Sequence, residues 1–110
     1  MKIQQRDIVE LNFELPNGKF KTHPALVILN QAVMEAEDIF YALMISTKSF
    51  NDEFSFELTN SMLTKNLKEK SFVKCQLVQA YSTGEVLTRI SSVKSDSFQF
   101  IKQKFFESVF

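Results

Sequence analysis

The chain has 110 residues, 13 Lys+Arg against 13 Asp+Glu, 45% hydrophobic and 24% charged content. This describes one globular domain spanning 1–110 and excludes both disorder and an overall electrostatic attraction to nucleic acid. One cysteine, Cys75, excludes an internal disulfide framework and fits a reducing compartment. One Cys and one His cannot form a metal-ligand set, so no metal or cofactor is expected. No apolar run reaches transmembrane length, and Met1-Lys2-Ile3-Gln4-Gln5-Arg6-Asp7 lacks a signal-peptide core, so the expectation is a cytoplasmic protein away from membranes.

Residues 6–13 alternate as a half-buried strand, with Val9, Leu11 and Phe13 on one face. Pro16-Asn17-Gly18 is a turn by its chemistry, continued as a loop through Lys19-Phe20-Lys21-Thr22. Pro24 fixes its own φ and biases the preceding residue toward extended geometry, which places His23, the only histidine, at the mouth of a strand. Ala25–Leu29 and Ile39–Ile45 are apolar without alternation and read as the core pair of strands, buried on both sides. Asn30–Asp38 is a polar connection with room for a helical turn.

Beyond Ile45 the strand runs into Ser46, Thr47 and Lys48. Phe54–Leu58 alternates as a surface strand, and Thr59–Lys70 reads as a loop with room for one helical turn. Ser71–Ala80 is a further strand, with Val73, Cys75 and Leu77 facing away from Phe72, Lys74, Gln76 and Val78; Cys75 is read as a packed core side chain. A turn at Ser82-Thr83-Gly84-Glu85 leads to a last short strand, Val86–Ile90. Phe98, Ile101, Phe105 and Val109 follow at helical spacing, which predicts a closing helix capped by Ser95 or Asp96. Five to six antiparallel strands and one C-terminal helix at this length predict a mainly β (α+β) fold, a small twisted antiparallel barrel with the helix packed against it.

The order of these pieces resembles the MazF/PemK family of toxins from type II toxin–antitoxin systems, over nearly the full length. Asp7–Phe13 resembles the opening strand, Pro16–Lys21 the variable substrate loop, and His23-Pro24-Ala25-Leu26-Val27-Ile28 the family's Arg-Pro-apolar strand. Ile45-Ser46-Thr47 resembles the strand end carrying a Thr or Ser, and Phe72-Val73-Lys74-Cys75-Gln76 a later strand with an acid before Gln. Three positions depart from the pattern: Arg6 stands for a Gly, His23 for the catalytic Arg, and Cys75 for the acid.

The resemblance implies an SH3-like barrel, usually a homodimer, that cleaves single-stranded RNA without metal and is neutralised by a cognate antitoxin peptide. Attack of the 2′-hydroxyl on phosphorus would leave a 2′,3′-cyclic phosphate and a 5′-hydroxyl, which requires a base, an acid and donors for the phosphorane. By position, His23 and Ser46 take the catalytic roles, while Lys19, Phe20, Lys21, Thr47 and Gln76 contact RNA, with Lys19 or Lys21 supplying charge, Phe20 stacking and Gln76 reading a base. A second reading keeps the barrel and its groove as a protein or peptide binding module without the reaction.

Overall fold

The structure is a computed structural model that describes residues 2–14, 16–48 and 52–110. Six strands, β1 (Asp7–Glu14), β2 (Phe20–Val27), β3 (Ile39–Ser46), β4 (Ser55–Leu58), β5 (Ser71–Ser82) and β6 (Thr88–Ser92), and two helices, α1 (Gln31–Glu37) and α2 (Ser95–Val109), follow in chain order. The strands form one antiparallel sheet in the order β4-β5-β3-β2-β1-β6.

That order corrects the expectation of a barrel. The sheet begins at β4 and ends at β6 and does not close. β4 spends its short length pairing β5 alone. Loop backbone, not a strand, lies along β6: the Thr64 N–H donates to the Ser92 carbonyl (2.9 Å) and the Lys65 N–H to Ser91 Oγ (3.2 Å), with one isolated bridge between Leu63 and Val93. Such cover blunts an edge without closing the sheet.

Both sheet faces are buried, which is why the central strands read as unbroken apolar runs. On one face Ile8, Leu26, Leu43, Ile45, Val73 and Cys75 pack under Phe98 and Ile101 of α2. Val9, Leu11, Phe13, Ala25, Val27, Phe40 and Ala42 fill the other face together with Met34 of α1. The alternation read in residues 6–13 therefore holds. α1 fills the polar connection: the Asn30 side chain accepts from the Ala32 N–H (2.9 Å), and Asp38 ends the helix at φ 55°.

Other expectations shift. α2 starts behind Lys94, which makes no capping hydrogen bond, and the apolar stripe runs outward from buried Phe98 and Ile101 to Val109, 42% exposed. β5 alternates only at its start: Leu43 pairs Val78 and Ile45 pairs Val73, so Met44 alone spans Lys74–Leu77. That bulge breaks the period, and Leu77 and Val78 emerge into solvent. Arg6, standing where the resemblance expects Gly, adopts φ 81°. Its backbone ties β2 to the lead-in of α2, its N–H donating to the Val27 carbonyl (2.9 Å) and its carbonyl accepting from Val93 (2.8 Å).

Candidate functional site

The site follows from the register of β2 against β3. Ala25 pairs Met44, Leu26 pairs Leu43 and Val27 pairs Ala42. Continued outward, the same register sets Pro24 against Ile45 and His23 against Ser46, but the ladder stops at Ala25–Met44. Pro24 supplies a cause. The Ile28 N–H donates toward β3, to the Tyr41 carbonyl (2.9 Å), so the alternation of a strand aims the nitrogens of Leu26 and Pro24 the same way. Proline has no N–H, and the donor that would join Ile45 is missing. β1 still pairs this part of β2, from Phe20 to Leu26. His23 thus lies inside a strand with one open side, not at a loop-to-strand junction.

Where the strands part there is a cleft of about 280 Å³, lined by Lys21, His23, Ser46, Thr47, Lys48 and Ser71 among others. Four residues singled out in the sequence, His23, Ser46, Lys21 and Thr47, meet here. Lys48 was missed. Its position directly after the Ser-Thr strand end was the available signal.

His23 is half-buried and meets the edge of the Phe13 ring, centroids 5.6 Å apart at 79°. Burial, followed by the nearby Lys21 ammonium, holds its pKa below the ordinary 6.5. The imidazole is therefore neutral near pH 7 and able to accept a proton. Ser46 Oγ accepts from the Lys48 N–H (3.1 Å), fixing the turn that brings Lys48 to the cleft; the Ser46 hydroxyl proton remains free to donate. Ser71 is buried and donates to the Glu69 carbonyl (3.0 Å). A neutral imidazole, hydroxyl donors and two ammonium groups around a small opening suit an anionic ester.

Three other residues singled out in the sequence lie outside this cleft. Lys19 sits at the hairpin, where its N–H donates to Asn17 Oδ1 (3.0 Å). Phe20, 65% exposed, lines a separate cleft with Glu14, Gln79, Tyr81 and Glu85. Gln76 lies in the β5 bulge, its Oε1 buried without a hydrogen-bond partner among the described residues. Cys75 is fully buried, and desolvation pushes its thiol up to about 11, as a core residue requires.

A family model described as PemK-like, MazF-like toxin of type II toxin-antitoxin system matches residues 4–109. The chain belongs to this family. No curated protein matches the sequence at a significant level. Among solved structures, an endoribonuclease in complex with its cognate antitoxin from a mycobacterial species superposes with a TM-score of 0.81 at 10% identity, over 97% of this chain and 94% of that one. The Mycobacterium tuberculosis toxin MazF-mt6 gives 0.70 at 14% identity, covering 94% and 92%. A chain of the MazE-MazF structure from Deinococcus radiodurans gives 0.75 at 15%, covering 96% and 94%. At these identities the likeness is one of fold. Among the described residues no helix is long and apolar enough to cross a membrane.

Proposed function

We propose that this protein is an endoribonuclease toxin that cleaves single-stranded RNA in the cleft between β2 and β3, without a metal ion. His23 takes the proton of the ribose 2′-hydroxyl as that oxygen attacks phosphorus. The P–O5′ bond breaks, leaving a 2′,3′-cyclic phosphate on one product, and the departing 5′-oxygen takes a proton from water at the open mouth. Ser46 donates to a non-bridging phosphate oxygen, Thr47 supports it, and Lys21 and Lys48 supply charge for the phosphorane. Lys19 meets the backbone further along, and Phe20 carries a base by stacking. The working form is a homodimer held inactive by a cognate antitoxin, as the mycobacterial endoribonuclease is found with its own.

The observation that carries this reading is that His23 and Ser46 line one cleft where the β2–β3 ladder stops. One observation favours a second reading, a binding module that does not cut RNA. A neutral His23 lacks the permanent charge of the arginine that the resemblance places there.

Incubating the purified protein with mixed-sequence single-stranded RNA in EDTA, with mapping of new ends, separates the two. Cyclic-phosphate ends that vanish in His23→Ala support the nuclease. No cleavage by the native protein, with cleavage gained in His23→Arg, would establish the module instead.

A further inference from the structure

Two clefts with linings of opposite charge lie along the hairpin of β1 and β2. Around His23 the lining is cationic, through Lys21 and Lys48. A few residues away, at the tip-ward end, a second and more open cleft of about 680 Å³ carries Glu14, Glu85, Gln79, Tyr81 and the exposed ring of Phe20. From Phe20 to His23 the strand rises roughly 10 Å, and at three residues' separation the two side chains leave opposite faces of β2, so one nucleic-acid strand reaches both clefts by crossing the edge of the hairpin.

Glu14 and Phe20 are cross-strand neighbours in the β1–β2 register, so a base lying on the Phe20 ring presents its edge to the Glu14 carboxylate. Among the described residues the Glu14 side chain has neither a hydrogen-bond nor an ion-pair partner. Its counterpart Glu85 is already committed, Oε2 accepting from the Ser82 N–H at 2.8 Å. The Tyr81 hydroxyl donates to Gln79 Oε1 (2.7 Å), which turns the Gln79 amide donors outward at the rim.

We propose that this second cleft is a guanine-reading subsite, with Phe20 as the stacking platform and Glu14 as the reader; it rests on the ribonuclease reading above. A carboxylate repels phosphate and accepts hydrogen bonds, so the backbone of the strand lies on the lysine side and the base enters on the acidic side. Guanine alone among the common bases presents two adjacent donors, N1–H and the 2-amino group, to the two oxygens of one carboxylate. Uracil presents a single N–H between two carbonyls that Glu14 would repel.

Fluorescence anisotropy tests this with 2′-O-methyl heptamers, which cannot be cut: all-uridine, and the same with one central guanosine, inosine or adenosine. The guanosine heptamer should bind native protein about tenfold more tightly than all-uridine, with inosine, which lacks the 2-amino group, in between. Glu14→Gln should abolish that difference, and Phe20→Ala should weaken every heptamer. Equal binding of guanosine and uridine heptamers by native protein, no binding of any, or a preference that survives Glu14→Gln would overturn the proposal. So would an arginine-bearing peptide that binds the native cleft and is lost in Glu14→Gln, since that would assign the cleft to a cationic protein partner. A protein that prefers guanosine yet leaves RNA uncut would refute the reaction and keep the subsite. One that cuts without this preference would do the reverse.

Discussion

The role proposed for His23 predicts a pH signature. Burial and Lys21 both lower its pKa from 6.5, so the neutral, proton-accepting form persists to a lower pH than for a free imidazole. Single-turnover cleavage of an RNA oligonucleotide should therefore be flat around neutrality and fall on the acid side, with an inflection below 6.5 and a limiting slope of tenfold per pH unit. Lys21→Gln removes the second cause and leaves burial, so the inflection should rise without passing 6.5. His23→Ala should lower the rate by about 10² to 10⁴, or roughly 3–5 kcal/mol of transition-state stabilisation. Stability moves with the same group. The unfolded chain binds the His23 proton more tightly than the folded one, so stability should fall as pH drops from about 6.5 to the lowered folded value and level off below it. An inflection at or above 6.5, or an acid limb that survives His23→Gln, would refute His23 as the base.

Three further outcomes are expected. The Cys75 thiol, buried and pushed up to about 11, should resist a thiol reagent at pH 8 in folded protein and react at the rate of a free thiol only in denaturant; rapid labelling of folded protein would contradict its place in the core. Arg6→Gly should change stability by no more than about 1 kcal/mol in thermal unfolding. Relief of a left-handed residue, worth about 1–2 kcal/mol, is offset by lost chain stiffness and by the lost bond from Arg6 Nη1 to the Val93 carbonyl, whereas Arg6→Val should be clearly destabilising because a branched side chain cannot hold φ 81°. Pro24→Ala should let the β2–β3 ladder advance by one bond; hydrogen exchange should find the new amide protected and cleavage reduced, and an unprotected amide with full activity would remove Pro24 from the account.

Legibility in the sequence differed from element to element. β1 was readable because Val9, Leu11 and Phe13 recur every second residue on a face that is buried throughout. The doubly buried strands were readable from their unbroken apolar character, and α2 from the spacing of Phe98 and Ile101. The start of β2 was not. Phe20-Lys21-Thr22 is exposed and lacks an apolar alternation, since one of its edges faces a cleft and not a strand, and that looks like loop. Closure was misjudged because strand number says nothing about whether the first and last strands meet, and β4 and β6 do not. Lys48 escaped notice because a lysine after a strand is ordinary until its neighbour Ser46 is seen to hold its backbone. Of the residues assigned to RNA, Lys19, Phe20 and Gln76 lie away from the cleft that holds His23, a separation no linear reading could supply.

The cleft exists because two constraints pull β3 and β2 apart at the same level. On one side, Pro24 denies β3 a donor opposite Ile45. On the other edge of β3, beyond the bulge at Lys74–Leu77, Ile45 and Ser46 pair with Val73 and Phe72 of β5, which in turn binds β4. The end of β3 is thus held by the far half of the sheet while His23 is held by β1 through its pairing with Leu11. Neither group depends on the other for its position, and both are anchored to buried strands. In a site assembled this way, the two sides meet only through what lies between them. This is why His23 and Ser46 share no hydrogen bond among the described residues: the cleft opens where a further rung of the ladder would otherwise have formed.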